Sequence, residues 1–593
     1  MLSTNTLHCD LCVIGGGIAG MCTAISAARM GVKTVLMQER PVLGGNASSE
    51  IRMWISGAHG SNNRETGIIE EIALENLYRN PTKSFAVWDS ILYSFVRREK
   101  NIELLLNCTC MDAETESGEF RHGRNIRIRS VTGYQMTTQT KVKVCAKFYA
   151  DCSGDSILAP LTGAEFRHGR EAADEFGEIT TTTAADRKTM GMSCLIQGRE
   201  TEKPIRFRPP EWSTHLSDKD FENREPDIYN DDENFWYLEL GGNRDSIADT
   251  EKVRDELLSL AVGTWDYVKN SGNFRAENWD LEFLGFLPGK RESRRMMGEY
   301  ILTQQDVSAG KVFEDEVAFG GWPLDDHYPD GFFHRGVPNT DYHTPAPYSI
   351  PYRSLYSKNV DNLFFAGRNI SASHMALSST RVMATCALLG EAVGRAAALS
   401  VKHDCSPHDI YLSHLAELQE SLMAGDCFLP SKTRNISGLC ASAKLEGAGD
   451  VIRNGQDRPH RIYQTTEETA SFRVPAGESI TYRFPKTEVC GIHIVFSSDL
   501  DRNSLLGSQT ERTQPTRSNY RLDNPQQPMP ADLCREFILT GMLEGNEKEI
   551  LHVTENHKRC YDISLKDTFD SLKLTPVESW GSPDTPVISF DFQ

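Results

Sequence analysis

The feature that most constrains the fold is a glycine-rich turn between a short apolar strand and a helix near the start of the chain. Leu11–Ile14 is rich in strand-forming residues, and Gly15–Gly20 follows it directly. Residues 18–30 are mostly small or apolar, as in a helix packed on a sheet, and Lys33–Met37 is a second apolar strand. This β-α-β order predicts an open parallel sheet with helices on its faces.

The spacing of the glycines predicts a dinucleotide site of the Rossmann type. Gly15 supplies the tight turn, Gly17 the close approach to a pyrophosphate at the helix N-terminus, and Gly20 the helix–strand contact. Glu39 follows the second strand, where a carboxylate accepts hydrogen bonds from ribose hydroxyls and repels a 2′-phosphate, which disfavours NADP. The predicted site residues of this segment are Gly15, Gly17, Ile18, Ala19, Gly20, Glu39 and Arg40.

Three further segments have the composition of a cofactor site. A second glycine pair, Gly44–Gly45, comes soon after Glu39 and allows the backbone to approach the same pyrophosphate or a flavin. The turn 150–155 follows a strand, and a later strand, Asn362–Phe365, runs into Gly367 and then an Ala-rich helix over Arg381–Leu399.

With these motifs the chain resembles the FAD-dependent oxidoreductases, within the flavoprotein superfamily typified by glutathione reductase and fumarate reductase. The matching segments are 13–20, Glu39, 43–49, 150–155 and 362–395. The resemblance implies FAD as cofactor, a late turn at the ribityl chain and a helix N-terminus at the flavin N1/O2 edge. Arg368 stands where the superfamily often has Asp, so Asn369 or the backbone is an alternative ribityl contact. The positions carried over are Gly44, Gly45, Asn46, Ser48, Asp151, Gly154, Gly367, Arg368, Met383 and Ala384.

The order of the segments predicts an α/β fold with a discontinuous, Rossmann-like FAD-binding domain. Its first part spans 1–164 and its second part, with C-terminal helices, spans 346–435. An inserted α+β substrate domain occupies 165–345, and it includes a long helix predicted over 250–270. From 436 to 593 helical periodicity fades, and short alternating runs such as 479–484 and 491–496 predict a β-sandwich-like module. This module would be similar to discoidin or carbohydrate-binding modules.

Charge and composition narrow the class of partner and the compartment. The 593 residues carry a formal net charge of −20, which opposes binding to nucleic acid and to anionic membrane surfaces. The absence of a long apolar run and of a signal-like N-terminus predicts a cytoplasmic protein. The fifteen cysteines are sparse, and Cys9 and Cys12 would point to opposite faces of one strand, so no redox pair is expected. No pattern of metal ligands is present.

Three residues are candidates for catalysis. His374 follows the late glycine turn and could accept a hydroxyl proton while hydride leaves for flavin N5, or simply hold the loop. Arg381 stands where fumarate-reductase-like relatives bind a substrate carboxylate, or pairs with a neighbouring acid. His59 could line the pocket or carry a covalent flavin, although a structural role in its loop is the alternative.

Three functions are therefore weighed. The first is hydride transfer from a small polar substrate, such as a sugar or glycoside hydroxyl, to FAD and on to an unidentified electron acceptor. The polar and aromatic loop 322–327 fits such a substrate. The second is a fumarate-reductase-like reaction on a carboxylic acid, held by Arg381 or by the arginines Arg291, Arg294 and Arg295. The third, remote one is a flavoprotein acting on tRNA, based on residues 27–31.

Overall fold

The computed structural model describes residues 3–179, 181–229, 233–501 and 516–593. The chain divides into two compact units. Unit 1 comprises residues 1–57, 82–415 and 513–526, and unit 2 comprises residues 58–81, 416–512 and 527–593. This division differs from the four predicted segments, because residues 165–345 belong to the same unit as the glycine-rich turn and the C-terminal boundary lies at 415 rather than 435.

The strands alternate with helices in the first half of the chain and dominate its last third. In chain order the described strands are β1 (Thr4–Ile14), β2 (Thr34–Met37), β3 (Ile102–Leu105), β4 (Cys108–Ser117), β5 (Ile126–Gln135), β6 (Thr140–Asp151), β7 (Phe166–Arg167), β8 (Met192–Ser193), β9 (Ile196–Glu200), β10 (Glu239–Leu240), β11 (Trp279–Leu284), β12 (Gly289–Lys290), β13 (Arg295–Met296), β14 (Glu316–Gly320), β15 (Leu324–His327), β16 (Asn339–Tyr342), β17 (Tyr348–Pro351), β18 (Leu363–Phe365), β19 (Lys444–Glu446), β20 (Phe472–Pro475), β21 (Ile480–Phe496), β22 (Cys534–Leu543), β23 (Asn546–Val553), β24 (Cys560–Ser579) and β25 (Asp584–Phe592).

The helices lie mainly in unit 1. The described α-helices are α1 (Ile18–Arg29), α2 (Ile68–Arg79), α3 (Phe85–Arg97), α4 (Leu158–Thr162), α5 (Ala173–Phe176), α6 (Thr250–Asn270), α7 (Gln304–Ser308), α8 (His374–Thr380), α9 (Met383–His403), α10 (Pro407–Ser413), α11 (Leu415–Ala424), α12 (Gly438–Ser442) and α13 (Glu467–Ala470).

The central sheet of unit 1 has seven strands in the order β3-β2-β1-β6-β5-β4, with β18 paired to β6. The β1–β2, β2–β3, β1–β6 and β6–β18 pairs are parallel, whereas β4 and β5 form an antiparallel extension. The late strand β18 thus joins the same sheet as β1, which is the discontinuous parallel arrangement predicted for a Rossmann-like domain.

Helix α1 packs against α9 through glycines. A Cβ atom at Gly390 would lie 2.1 Å from the carbonyl oxygen of Ala19, and a Cβ atom at Gly394 would lie 1.9 Å from Ser26 Oγ. Both positions therefore need glycine for the two helices to approach so closely. Of the described helices, α9 is long and apolar enough to cross a membrane, but most of it is buried, as core helices of this composition commonly are.

Unit 2 contains a seven-stranded antiparallel sheet in the order β20-β25-β21-β24-β22-β23, with β19 paired to β21. Its core includes Tyr482, Ile494, Phe537 and Phe590. The predicted runs 479–484 and 491–496 are one strand, β21, which shifts register against β24 near Pro485 and Cys490. The β-rich character agrees with the sequence, and the sandwich-like or carbohydrate-binding module stays a prediction.

The cysteines form no disulfides. All fifteen are thiols, including Cys9 and Cys12 on β1. Burial raises the pKa of the Cys9 thiol to about 12 and that of Cys12 well above its usual value, so neither is a thiolate at neutral pH.

Candidate active site

The glycine-rich turn between β1 and α1 leaves no room for side chains at Gly15 and Gly20. Gly15 has φ +101°, and a Cβ atom there would lie 2.3 Å from the carbonyl oxygen of Cys152. At Gly20 a Cβ atom would lie 1.8 Å from the carbonyl oxygen of Gly15. Gly17 precedes α1, whose N-terminus has no side-chain cap. The first amides of α1 are therefore available to an anion.

The second glycine pair lies beside the first turn. The amide of Gly44 donates to the carbonyl of Gly16 at 2.8 Å, and Gly17 and Gly44 form a parallel bridge. A Cβ atom at Gly17 would meet only Gly45 Cα, at 3.8 Å. The two glycine segments thus lie together at the N-terminus of α1, and we call this backbone-lined region the cradle.

Gln38, which the sequence reasoning passed over, is the buried polar residue at the end of β2. Its Oε1 accepts from the amide of Gly16 at 2.7 Å, and its Nε2 donates to the carbonyl of Val42 at 3.0 Å. The side chain of Glu39 is 60% exposed and lies 3.9 Å from Arg40. The only feature of the sequence that could have indicated this role is the position of Gln38, directly after the last buried residue of β2.

The late turn after β18 meets the turn after β6. Arg368 donates to Asp155 Oδ1 at 2.7 Å and to the carbonyl of Gly154 at 3.1 Å, while Asn369 Nδ2 lies 3.2 Å from the carbonyl of Asp151. Asp151 caps the next turn by accepting from the amides of residues 153 and 158. Burial opposes ionisation of Asp155, but Arg368 and Lys290 hold its pKa well below the usual range. Both aspartates are thus structural residues in this arrangement.

One carbonyl group connects three distant segments. The carbonyl of Lys290 accepts from Asn46 Nδ2 at 3.0 Å and from Arg368 Nη1 at 2.9 Å. The second glycine pair, the segment 289–296 and the late turn therefore surround one region next to the cradle.

The residues of this cradle fit a flavin dinucleotide. Ser48 Oγ, Asn369 Oδ1 and the Nε and Nη1 atoms of Arg40 are buried without a hydrogen-bond partner among the described residues. Together with the uncapped N-terminus of α1, they offer donors and acceptors to a phosphate-and-ribose ligand. Gly15, Gly17 and Gly44 supply the close backbone approach.

The N-terminus of α9 is partly used by the protein itself. The amide of Ala384 donates to the carbonyl of Ser56 at 3.0 Å, and Val382 precedes the helix without capping it through a side chain. Met383 is the first residue of α9. The dipole of α9 can still favour negative charge there, although the Ala384 amide is not a free donor.

His374 is held between two carboxylates. Its Nδ1 lies 2.9 Å from Glu292 Oε2, and its Nε2 lies 3.1 Å from Asp326 Oδ1. Burial alone would lower the pKa of His374, but the two carboxylates outweigh burial and raise it to about 10. The ring is an imidazolium at neutral pH with both nitrogens engaged, which opposes its predicted role as a base.

Arg381 belongs to a second cluster, on the other side of β15. Its Nη2 donates to Asp325 Oδ2 at 2.8 Å, and His327 bridges Asp325 to Glu239, whose Oε2 lies 2.6 Å from His327 Nδ1. Because side chains alternate along a strand, Asp325 and His327 face this cluster while Asp326 faces His374.

The predicted arginine clamp is engaged by the protein's own groups. Arg291 donates to Ser193 Oγ at 2.8 Å and lies 3.3 Å from Glu239. Arg295 pairs with Glu171 and Glu292, and Arg294 donates to the carbonyl of Asp155 at 3.3 Å.

His59 lies in unit 2, whereas the glycine-rich cradle lies in unit 1. Its carbonyl accepts from Asn63 Nδ2 at 2.6 Å within the loop before α2. This contact fits the structural alternative that the sequence left open for His59.

A family model described as FAD dependent oxidoreductase matches residues 10–422. The chain belongs to that family. Its cofactor is FAD, and it is an oxidoreductase that acts on a small-molecule substrate and requires an electron acceptor. The match includes the glycine-rich cradle, both clusters on β15 and helix α9. No curated protein matches the chain.

Solved structures that resemble parts of the chain are distant. A geranylgeranyl bacteriochlorophyll reductase-like protein from Thermoplasma acidophilum has 10% identity and a TM-score of 0.31, and the match covers 71% of this chain and 88% of that one. A myxobacterial FAD-dependent chondrochloren halogenase has 16% identity and a TM-score of 0.22, covering 34% and 45%. A family 32 carbohydrate-binding module from Streptococcus pneumoniae EndoD has 14% identity and a TM-score of 0.18, covering 26% and 99%. At these scores the family membership rests on the sequence match alone.

Proposed function

We propose that this FAD-dependent oxidoreductase removes a hydride from a carbon that bears a hydroxyl group, on a small, uncharged, polyhydroxylated substrate such as a sugar or glycoside. Bound FAD supplies the hydride acceptor. The chain's own residues orient the substrate and receive the hydroxyl proton, and the electrons leave for a separate acceptor.

The observation that carries this proposal is the pairing of the arginines. Of the four arginines considered for a substrate carboxylate, Arg291, Arg295 and Arg381 each pair with carboxylates of the protein. The fourth, Arg294, donates to the carbonyl of Asp155 and lies over the ring of Phe166. A substrate carboxylate would have to displace these buried partners, which costs free energy. A neutral hydroxylated substrate needs acceptors instead, and carboxylates are the strongest acceptors that side chains offer.

We assign to Asp326 the role of accepting the hydroxyl proton of the substrate. Its carboxylate is 24% exposed and accepts from the buried ring of His374, which lies 3.1 Å away. The His374 ring donates to Asp326 Oδ1 and so fixes the direction of this carboxylate. The carbon would lose its hydride to the flavin while the hydroxyl proton passes to Asp326 and then to solvent.

Anaerobic reduction of the bound flavin tests the proposal. The purified yellow protein is mixed with a panel of sugars and glycosides and, separately, with mono- and dicarboxylic acids, and the flavin absorbance is followed. We expect at least one hydroxylated compound to bleach the flavin and the acids to leave it oxidised. Bleaching by acids alone would instead support the fumarate-reductase-like reaction.

A matched pair of variants tests the role of Asp326. Asp326→Asn removes the proton acceptor and should slow flavin reduction by about 100-fold or more, the usual contribution of a general base. Asp280→Asn changes an exposed acid of the same unit on β11 and should leave the rate unchanged. Equal reduction rates in both variants would rule out Asp326 as the base.

A further inference from the structure

The segment Thr516–Tyr520 belongs to unit 1, although the described residues on either side of it in sequence, up to 501 and from 527, belong to unit 2. Four of its five residues are buried, with side chains at most 5% exposed. The sequence predicted this stretch to be part of the C-terminal module. Its burial in unit 1 instead indicates that the segment contributes to the flavin-binding unit.

Backbone pairing joins the segment to β9. The amide of Tyr520 donates to the carbonyl of Gly198 at 3.0 Å, and the amide of Glu200 donates to the carbonyl of Tyr520 at 2.7 Å. Asn519 reinforces the pairing, because its Oδ1 accepts from the amide of Gly198 at 2.8 Å while its Nδ2 donates to the carbonyl of Glu233 at 3.2 Å. The segment therefore pairs with the edge of β9 through a single parallel bridge between Tyr520 and Arg199.

Ser518 fixes the loop that leads out of the cofactor cradle. Its Oγ accepts from the indole Nε1 of Trp54 at 3.1 Å. The loop 46–56 begins in the cradle, where the amide of Met53 donates to the carbonyl of Asn46 at 2.8 Å. It ends at α9, where the carbonyl of Ser56 accepts from Ala384. Trp54 lies between these two anchors.

Arg52, on the same loop, is held from the β9 side. It has φ +68°, a strained value for a residue with a side chain. Its guanidinium lies 4.0 Å from the centroid of Phe283, and Nη1 donates to Gln197 Oε1 at 2.6 Å. Gln197 is on β9, the strand with which Tyr520 forms its bridge. The loop is thus held at two points: Arg52 contacts Gln197 of β9, and Trp54 donates to Ser518.

We propose that Thr516–Tyr520 is a positioning segment of the active site, in which Ser518 and Asn519 hold the loop 46–56 beside the cofactor cradle and thereby support substrate binding there. The inference rests on the proposed function for its kinetic consequence. The prediction that the segment holds the loop beside the flavin does not depend on the proposed function.

Two variants and a control test the proposal in the full-length holoprotein. Ser518→Ala removes the acceptor for Trp54, and Asn519→Ala removes the amide that bridges Gly198 and Glu233. Ser213→Ala is the matched control, because the Ser213 hydroxyl donates locally to the carbonyl of Pro210 in the same unit. Flavin content and melting temperature identify any variant that has simply failed to fold.

The first readout needs no substrate. Quenching of the bound-flavin fluorescence by iodide should increase in Ser518→Ala and Asn519→Ala but not in Ser213→Ala, because the loop beside the cradle is released. The second is the split between KM and kcat for a compound that bleaches the wild-type flavin. Loss of one hydrogen bond predicts a rise in KM of about three- to tenfold with a smaller change in kcat.

Unchanged quenching in both variants would overturn the inference. Increased quenching with unchanged KM would also overturn it as a positioning role, since the segment would then be structural only. If no compound reduces the wild-type flavin, the proposed function fails. Quenching alone then decides the inference: an increase supports it and no change refutes it.

Discussion

At Gly20, one added methyl group would prevent the close packing of α1 against the turn after β1. A Cβ atom there would lie 1.8 Å from the carbonyl oxygen of Gly15, a backbone atom that cannot move without breaking the turn. The motif made this position predictable, because the contact that requires glycine is with a residue of the same turn. Gln38 was not predictable in the same way, since its partner, the amide of Gly16, is twenty-two residues away.

Gly20→Ala should therefore reduce the affinity for FAD by at least about tenfold, because overpacking here displaces the N-terminus of α1. The measurement is the flavin-to-protein absorbance ratio after gel filtration. Gly449→Ala is the matched control, because an added Cβ atom there meets no atom within 4 Å. A variant at Gly20 with full flavin content would contradict the assignment of the cradle.

His374→Gln tests the charge of the histidine. A pKa of about 10 in the folded protein, above the unfolded value of 6.5, means that the charged ring stabilises the fold fully below pH 6.5. This contribution is lost as the pH rises towards 10. Removing one member of a buried ionic cluster costs about 3–5 kcal/mol.

The melting temperature of the His374→Gln variant should thus fall well below wild type at pH 6.5, and the gap should narrow by pH 9.5. Thermal melts at these two pH values and at pH 8 measure it. A gap that stays constant or widens with pH would show that the ring is neutral in the folded protein.

Strand β15 is the element that organises the site, because its two faces serve two clusters. Asp326 faces His374, while Asp325 and His327 face Arg381 and Glu239. The sequence singled out the loop 322–327 as polar and aromatic, but it did not predict its alternation. The partners are far apart in the chain: Glu292 is 82 residues and Asp326 is 48 residues from His374.

The pairing of β15 with the helix junction at Arg381 can be measured by a double-mutant cycle. Arg381→Gln and Asp325→Asn should each lower the free energy of unfolding, and the double variant should lose less than their sum, since each single change leaves one buried charge unpaired. Chemical unfolding of the three variants gives the coupling energy. Strict additivity would show that the two side chains do not interact.

Regular elements were predicted best where their signal is local. The sequence predicted a helix over 250–270, and the structure has α6 over Thr250–Asn270. The long strand β21 was divided into two runs, because Pro485 and the polar residues after it resemble a turn whereas the chain continues through irregular pairing with β24. Pairing with a distant strand overrode the local pattern.

At the scale of the whole molecule, two units replace the predicted series of segments. The parallel sheet and the placement of β18 beside β6 follow the prediction. The assignment of residues 58–81 to unit 2 and of residues 516–526 to unit 1 does not follow the prediction. Nothing in the local composition of these two stretches shows which hydrophobic core they join.

A chain that ends at residue 435, the predicted end of the flavin-binding part, should be defective. It lacks Asn519 and Tyr520, so the edge of β9 at Gly198 loses its hydrogen-bond partners. We expect less flavin per protein and a lower melting temperature than in the full-length protein. Equal values would show that unit 1 needs no residue beyond 435.

The carbonyl of Lys290 accepts from both Asn46 and Arg368, which are 322 residues apart in the chain. During synthesis the glycine-rich turn therefore leaves the ribosome long before its neighbours exist. β18, the late turn and α9 follow more than 300 residues later. The glycines of the cradle are made early, but the late turn and α9 exist only once about two thirds of the protein has been made. Flavin contacts that involve the late turn can therefore form only late in synthesis.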